Sequence, residues 1–249
     1  MSENFINLTI ENLETEHLCC AIADKKHQKG VNMKKEWLKN QIEKGHVFRK
    51  LDAKGKVFIE YAPLETAWVP IYGDNYMYIY CLWVSGSFKN KGYAKSLLQY
   101  CINDAKEKGK AGVCVLSSKK KKPFLSEKKF FEKYEFKVVD SIEGDYELLA
   151  LSFNGQKPHF NENAKKMKIK EKELTIYYGI QCPYTANCIE QVENYCHQNN
   201  IPLNLYQVDT LDKAKNVPCV FSNWAVFYNG DFKTTHLLNE KYLKKLFDL

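Results

Sequence analysis

Apolar and polar residues alternate from Phe5 to Ile10, a period of two that predicts a short strand. From Thr15 to about Glu43 the period lengthens to that of a helical pair. Leu18, Ile22, Met33, Trp37, Leu38 and Ile42 share one face, with a break near Gly30 and a stop at Gly45. His46–Leu51 and Lys56–Val69 return to strand-like runs around Asp52-Ala53-Lys54-Gly55, residue types suited to a tight turn. Tyr76–Val84 is a continuous apolar run. A basic turn containing Gly92 follows, then a helical pattern carried by Leu97, Leu98, Cys101, Ile102 and Ala105. Val113–Leu116 reads as a buried parallel strand, Ser126–Tyr134 as a short helix with Ser126 as N-cap, and Phe136–Ser141 and Tyr146–Phe153 as further strands. An antiparallel set leading into a βαβαβ half gives an α/β fold, a mixed sheet of about seven strands with flanking helices.

Asn154–Glu173 is polar and lysine-rich without a sustained period, so it reads as a linker. Periodicity then restarts. The strand Leu174–Tyr178, a helix from Pro183 to about Asn199, the strands Leu203–Val208, Val220–Tyr228 and Phe232–Thr235, and a last helix Asn239–Phe247 predict a second, smaller α/β domain. The expected organisation is one domain over 1–153, a linker over 154–173 and a second domain over 174–249.

Composition narrows the classes. Apolar residues make up 45% and aromatics 14% of 249 residues, which indicates a globular chain with real cores. No apolar run approaches the ~20 residues that span a bilayer, and Met1-Ser2-Glu3-Asn4 lacks a signal-like start. Nine cysteines without framework spacing read as reduced thiols, so the expected location is cytoplasmic, with no membrane partner. The net charge of +7 is uneven: residues 1–153 hold 25 Lys and Arg against 20 Asp and Glu, residues 174–249 hold 6 against 7. A basic first half suits a ligand bearing several phosphates. Nucleic acid is excluded as a partner, because no aromatic-basic interleaving or recognition helix accompanies the charge.

The chemistry concentrates after the apolar run, in Leu82-Trp83-Val84-Ser85-Gly86-Ser87-Phe88-Lys89-Asn90-Lys91-Gly92-Tyr93-Ala94-Lys95. A strand, a tight turn and a helix N-terminus in that order make an anion site, since the first helical N–H groups point with the macrodipole into the turn. Gly92 lets the backbone approach a bulky ligand, and Lys89, Lys91 and Lys95 bring charge for phosphate. The spacing matches neither the P-loop nor the dinucleotide fingerprint. Ser117 and Ser118 end a strand where α/β ligands collect, ahead of the lysine tract 119–122.

The loop Lys89-Asn90-Lys91-Gly92-Tyr93-Ala94 resembles motif A of the GNAT acyl-CoA N-acyltransferases, with Lys where that family carries Arg or Gln. The resemblance implies that this loop wraps the coenzyme A diphosphate, that the backbone of Leu82, Trp83 and Val84 pairs with the pantetheine arm, and that an N–H near Val84 polarises the thioester carbonyl. It implies acetyl-CoA as cosubstrate, no metal, a primary amine as acceptor, direct attack in a ternary complex, and compatibility with a homodimer. Phe130-Phe131-Glu132-Lys133-Tyr134-Glu135-Phe136 aligns with the family segment that often carries a Tyr as leaving-group acid. Phe131 stands at that position and is expected to pack on the pantetheine instead. Glu65, in the proline-flanked stretch 61–70, is the candidate general base, ahead of Glu60.

In the second half, Gln181-Cys182-Pro183-Tyr184-Thr185 follows a strand and opens a helix, and Val217-Pro218 precedes two strands. This order resembles the thioredoxin superfamily, which implies a cis-proline at Pro218 and a nucleophilic thiol at Cys182. Thr185 stands where a second redox cysteine would be, with Cys188 and Cys219 as other partners to weigh. The pair of domains together resembles the YoaP-type acetyltransferases of bacteria. Two rival readings stand beside acetyl transfer: a thiol-dependent oxidoreductase centred on Cys182, and a module that binds CoA without catalysis.

Overall fold

The computed structural model describes residues 4–18, 21 and 25–247. They divide into two compact units: Met1–Ile22, Leu38–Ala67 and Ile71–Asn161 in the first, Ala23–Trp37, Trp68–Pro70 and Glu162–Leu249 in the second. Among the described residues no helix is long and apolar enough to cross a membrane.

The first unit is built on a seven-stranded sheet in the order β1-β2-β3-β5-β6-β8-β7. Its strands are β1 (Phe5–Asn7), β2 (Val47–Leu51), β3 (Val57–Pro63), β5 (Tyr76–Val84), β6 (Gly112–Ser118), β7 (Lys137–Ile142) and β8 (Tyr146–Ser152). All neighbours are antiparallel except β5 and β6. Helix α2 (Tyr93–Glu107) sends Leu97, Leu98, Cys101, Ile102 and Ala105 into one core with Val57, Ile59 and Tyr61 of β3 and Met77 and Ile79 of β5. The two periods meet there, 3.6 from the helix and 2 from the strands. The short α3 (Lys128–Glu132) adds Phe131 to the same core; its N-cap is Glu127, without a side-chain cap bond, so Ser126 does not open the helix. A small sheet of β4 (Ile71–Tyr72) and β9 (His159–Phe160) completes the unit.

The second unit carries a four-stranded sheet in the order β11-β10-β12-β13, from β10 (Leu174–Tyr178), β11 (Leu203–Gln207), β12 (Trp224–Tyr228) and β13 (Asp231–Thr234). β10 and β11 are parallel and the other pairs antiparallel. Helices α5 (Tyr184–Gln198) and α7 (Glu240–Phe247) close its core through Cys188, Val192, Cys196 and Leu243, packed with Leu174, Ile176, Trp224 and Val226. α4 (Glu162–Lys165) and α6 (Leu211–Asn216) are short, and Thr210 caps α6 by accepting from the Lys213 N–H.

Several sequence expectations need correction. Residues 154–173 are not a bare linker, since they form β9 and α4 and bury Phe160, Ala164 and Met167. α1 (Gln28–Ile42) runs through Gly30 without a break. That glycine is a close-packing residue: a Cβ there would stand 2.0 Å from the Pro183 carbonyl oxygen. Its residues up to Trp37 belong to the second unit, which the linear domain division did not foresee. Ile22, expected on its apolar face, lies outside the described residues. Pro218 follows a trans peptide bond, as does every other described residue.

Candidate active site

β5 organises the site. On one side it pairs with β3 along its whole length, from Pro63↔Met77 to Val57↔Val84. The register shifts between Glu60, opposite Cys81, and Tyr61, opposite Ile79, so Tyr80 is an extra residue and bulges the strand. On the other side β5 pairs with β6 only from Tyr76↔Gly112 to Ile79↔Val115, while β6 runs on to Ser118 against β8. The two parallel strands therefore part at the bulge. Among the described residues, Leu82 to Val84 have no ladder partner on that edge of β5. An extended molecule with its own amide groups could occupy such an edge as an added strand.

β5 leads into the basic loop. Leu82 and Val84 are half-buried and pack on the α2 core, Trp83 is exposed, and Ser85 donates its N–H to the Lys56 carbonyl. A 3-10 turn over Gly86–Phe88 follows, anchored by Phe88, whose ring lies where a Cβ on Gly55 would fall. Asn90 (φ 61°) and Gly92 (φ 85°) adopt left-handed backbone conformations, and Gly92 is the N-cap of α2. No side chain caps that helix and its first turn holds no acid. A Cβ on Gly92 would meet nothing within 4 Å, so the space above the helix end is open. Lys89, Lys91 and Lys95 are exposed around it and pair with no described carboxylate. Tyr93 and Ala94 are half-buried, Tyr93 packing edge-on to Phe5. The strand edge, the basic turn and the uncapped helix follow one another directly along the chain.

Other expected site residues are placed elsewhere. Glu65 sits on a 3-10 turn beyond the end of β3, 47% exposed and 3.4 Å from the Lys110 ammonium. Pro63 lies opposite Met77, so Glu65 is at the far end of β5 from the loop, about 23 Å from Val84 by strand rise. Ser117 is fully buried, and its hydroxyl donates to the Ser126 carbonyl at 2.7 Å, fastening the lysine-rich loop to its strand. Phe131 is a core residue, edge-on to Phe130 and Phe136.

Sequence reasoning ranked Glu60 behind Glu65 and missed its partner, His46. His46 Nε2 and Glu60 Oε1 are 3.0 Å apart, with side chains only 2% and 3% exposed, and the His46 ring lies against Tyr80 at 5.1 Å. A signal existed, because Glu60 is the one charge in the apolar run Val57-Phe58-Ile59-Glu60-Tyr61-Ala62. A buried carboxylate is costly unless held by a hydrogen bond, so a partner had to exist.

The family profile described as "Acetyltransferase (GNAT) family" matches residues 11–136, and one described as "YoaP-like" matches 202–245. An "Uncharacterized N-acetyltransferase YoaP" of Bacillus subtilis (strain 168) is 40% identical over 244 residues, covering 97% of both chains. The chain belongs to the GNAT acetyltransferase family. It is thus an acyltransferase, and the β5 edge with its basic loop is the candidate active site of a GNAT enzyme. Among solved structures, the PaiA N-acetyltransferase of Thermoplasma acidophilum in complex with coenzyme A aligns at 20% identity over 61% of this chain and all of its own (TM-score 0.41). Arabidopsis thaliana NAA60 in complex with acetyl-CoA aligns at 14% over 62% of this chain and all of its own (TM-score 0.42).

In the second unit of this GNAT enzyme, Cys182 is half-buried just ahead of α5. The thiols weighed as its partners are poorly suited to exchange. Burial pushes Cys188 up to about 12 and its sulfur donates to the Leu238 carbonyl; burial raises Cys219 well above its ordinary value. The seven described cysteines are all outside disulfides.

Proposed function

We propose that this enzyme transfers acetyl from acetyl-CoA to a primary amine by direct attack in a ternary complex. The observation that carries the reading is the succession of the β5 edge over Leu82–Val84, beyond the last β5–β6 pair at Ile79↔Val115, the basic turn, and an uncapped helix with empty space above Gly92. The backbone N–H groups at the start of α2, with Lys89, Lys91 and Lys95, would hold the diphosphate. The free edge over Leu82, Trp83 and Val84 would pair with the amides of the pantetheine arm. The acyl carbonyl then falls near the bulge, where an N–H released from the ladder can polarise it.

The attacking amine must lose a proton, and the titratable pair under the bulge is Glu60 with His46. Glu60 is buried, so the proton would reach it through His46 or one water, an arrangement that general-base catalysis accommodates. This assigns the base role to Glu60 and not to Glu65, which the fold holds at the other end of the strand. Phe131 offers no proton to the departing thiolate, and Tyr134, half-buried against Phe130, is the nearby hydroxyl in that segment.

The test is loss of thioester absorbance when acetyl-CoA is mixed with polyamines, aminoglycosides, amino acids or peptides, alongside calorimetric titration with acetyl-CoA. Amine-dependent thioester loss is expected. Tight binding without turnover on any amine would replace catalysis by CoA binding alone, and absence of binding would remove this stretch as a CoA site.

A further inference from the structure

β5 and β6 are parallel neighbours, so the chain leaves both strands from the same end of the sheet. β5 continues into the basic loop and α2, and β6 continues through residues 119–127 into α3. The two helices pack into one core, which puts both on the same face of the sheet. From the last pair, Ile79↔Val115, Lys119 lies four residues on, about 13 Å along the direction of β6. Val84 lies five residues on along β5, one of them the bulge, so the two positions are level. A second basic loop therefore stands one strand over from the first.

This second loop is held in shape. Ser117 donates its hydroxyl to the Ser126 carbonyl, the two residues form a parallel bridge, and the Lys119 N–H donates to the Asp145 carbonyl. Four lysines follow in succession, Lys119 to Lys122. Lys120 lies 3.8 Å from Asp145 and Lys122 sits over the Tyr146 ring at 4.7 Å, so both lean toward β8. Lys119 and Lys121 are exposed and pair with no described carboxylate. Two residues beyond Lys122, Phe124 is the most exposed large apolar side chain among the described residues, at 54%. Its φ of 62° is left-handed, a conformation that costs an L-residue about 1–2 kcal/mol. A phenyl ring held outside the core at a backbone cost, beside two available ammonium groups, matches a ligand that joins a flat aromatic ring to a phosphate.

We infer that this loop binds the adenosine 3′-phosphate end of acetyl-CoA, with the Phe124 ring stacked on the adenine and Lys119 and Lys121 holding the 3′-phosphate. The inference rests on the acetyl-CoA site proposed above, where the diphosphate lies at the start of α2 and the adenosine beyond it falls to the neighbouring loop. One molecule then uses both basic loops, and each feature of the second has its counterpart on the ligand. An acidic amine acceptor would answer the lysines but leave Phe124 without a role.

The experiment titrates the full-length protein by calorimetry with three compounds: acetyl-CoA, acetyl-dephospho-CoA, which lacks only the 3′-phosphate, and S-acetyl-4′-phosphopantetheine, which lacks the adenosine. The parent should bind acetyl-CoA about tenfold more tightly than its dephospho form, and added salt should shrink that preference by screening exposed charge. Lys119→Gln combined with Lys121→Gln should remove the preference by weakening acetyl-CoA alone. Phe124→Ala should weaken acetyl-CoA and acetyl-dephospho-CoA alike by about tenfold, within the range of base stacking on an aromatic ring, and leave S-acetyl-4′-phosphopantetheine within about twofold. The replaced side chains are exposed, so melting temperatures should stay within about 2 °C of the parent. The inference is overturned if the parent binds acetyl-CoA and its dephospho form equally, if the lysine variant loses both to the same extent, or if Phe124→Ala binds acetyl-CoA as the parent does. In each of these cases the acetyl-CoA site itself stands. A lysine variant with unchanged acetyl-CoA affinity and a raised KM for the amine also overturns it, in favour of an acidic acceptor. A parent that binds none of the three compounds overturns the inference together with the site it rests on.

Discussion

Replacing Glu60 by Gln isolates the proposed base. The substitution keeps size and shape, and the amide oxygen still accepts a hydrogen bond from His46 Nε2 across 3.0 Å. What disappears is the capacity to take a proton. General-base catalysis contributes about 10²–10⁴-fold, so kcat should fall at least a hundredfold, or about 2.7 kcal/mol in the barrier. Acetyl-CoA affinity should stay within about twofold, because the proposed binding site is made of backbone groups and lysines that Glu60 does not touch. Folding must be checked separately, as leaving a buried polar group without its hydrogen-bond partner costs about 1–3 kcal/mol; the isosteric change is chosen to avoid most of that. His46→Gln is the companion: it removes the ring through which the proton would reach Glu60 and should lower kcat with little change in KM for acetyl-CoA. The assay is thioester loss at saturating amine, with calorimetry and thermal unfolding on each variant. A Glu60→Gln enzyme that folds, binds acetyl-CoA and turns over within threefold of the parent refutes the assignment.

Glu65→Gln should leave turnover within about threefold, since an exposed pair such as Glu65–Lys110 is worth about 0–1 kcal/mol, and a hundredfold loss in that variant would restore Glu65 as the base. Gly92→Val should abolish acetyl-CoA binding by calorimetry while costing about 1–2 kcal/mol of stability from its positive φ, because a side chain there clashes with no protein atom and only fills the ligand's space. Acid should weaken the first unit through His17, whose protonation is depressed by burial and then by Lys50, despite Glu16 and Asp52 nearby. The unfolded ring binds its proton near pH 6.5 and the folded ring only at lower pH, so stability is full above about 6.5 and declines as pH falls below it. His17→Gln should flatten that decline in thermal melts, and an unchanged pH profile would remove His17 as its source.

The loop was legible in the sequence because its requirements are local: an apolar strand, a glycine at positive φ and a helix pattern starting at Tyr93 all lie within neighbouring residues. The core of α2 was legible for the same reason, since Leu97, Leu98, Cys101, Ile102 and Ala105 mark one face whatever they pack against. The unpaired edge of β5 was not, because it depends on where β6 stops pairing, a fact of register between segments some 35 residues apart. Glu65 looked like a base because prolines flank it, yet the bend they make lies past the end of β3. His46 and Glu60 were hard to pair because adjacent strands bring them together across the turn at 52–55. Gly30 looked like a helix breaker, and only the Pro183 carbonyl against it shows why a side chain is excluded there.

The sharing of α1 between the two units bears on how the protein is made. Residues 23–37 leave the ribosome early, but apart from Trp68–Pro70 the rest of their compact unit lies beyond residue 161. At about 5–20 residues per second, the segment waits roughly 10–40 s for the rest of its unit to be synthesised. During that interval Met33, which lines a pocket with Tyr178, Ile180 and Ile189, lacks its final surroundings, and a nascent chain in this state is a candidate client for a holding chaperone. A gene cut at the linker-like stretch would separate this early strap from its late partners, so neither fragment would inherit a whole second unit.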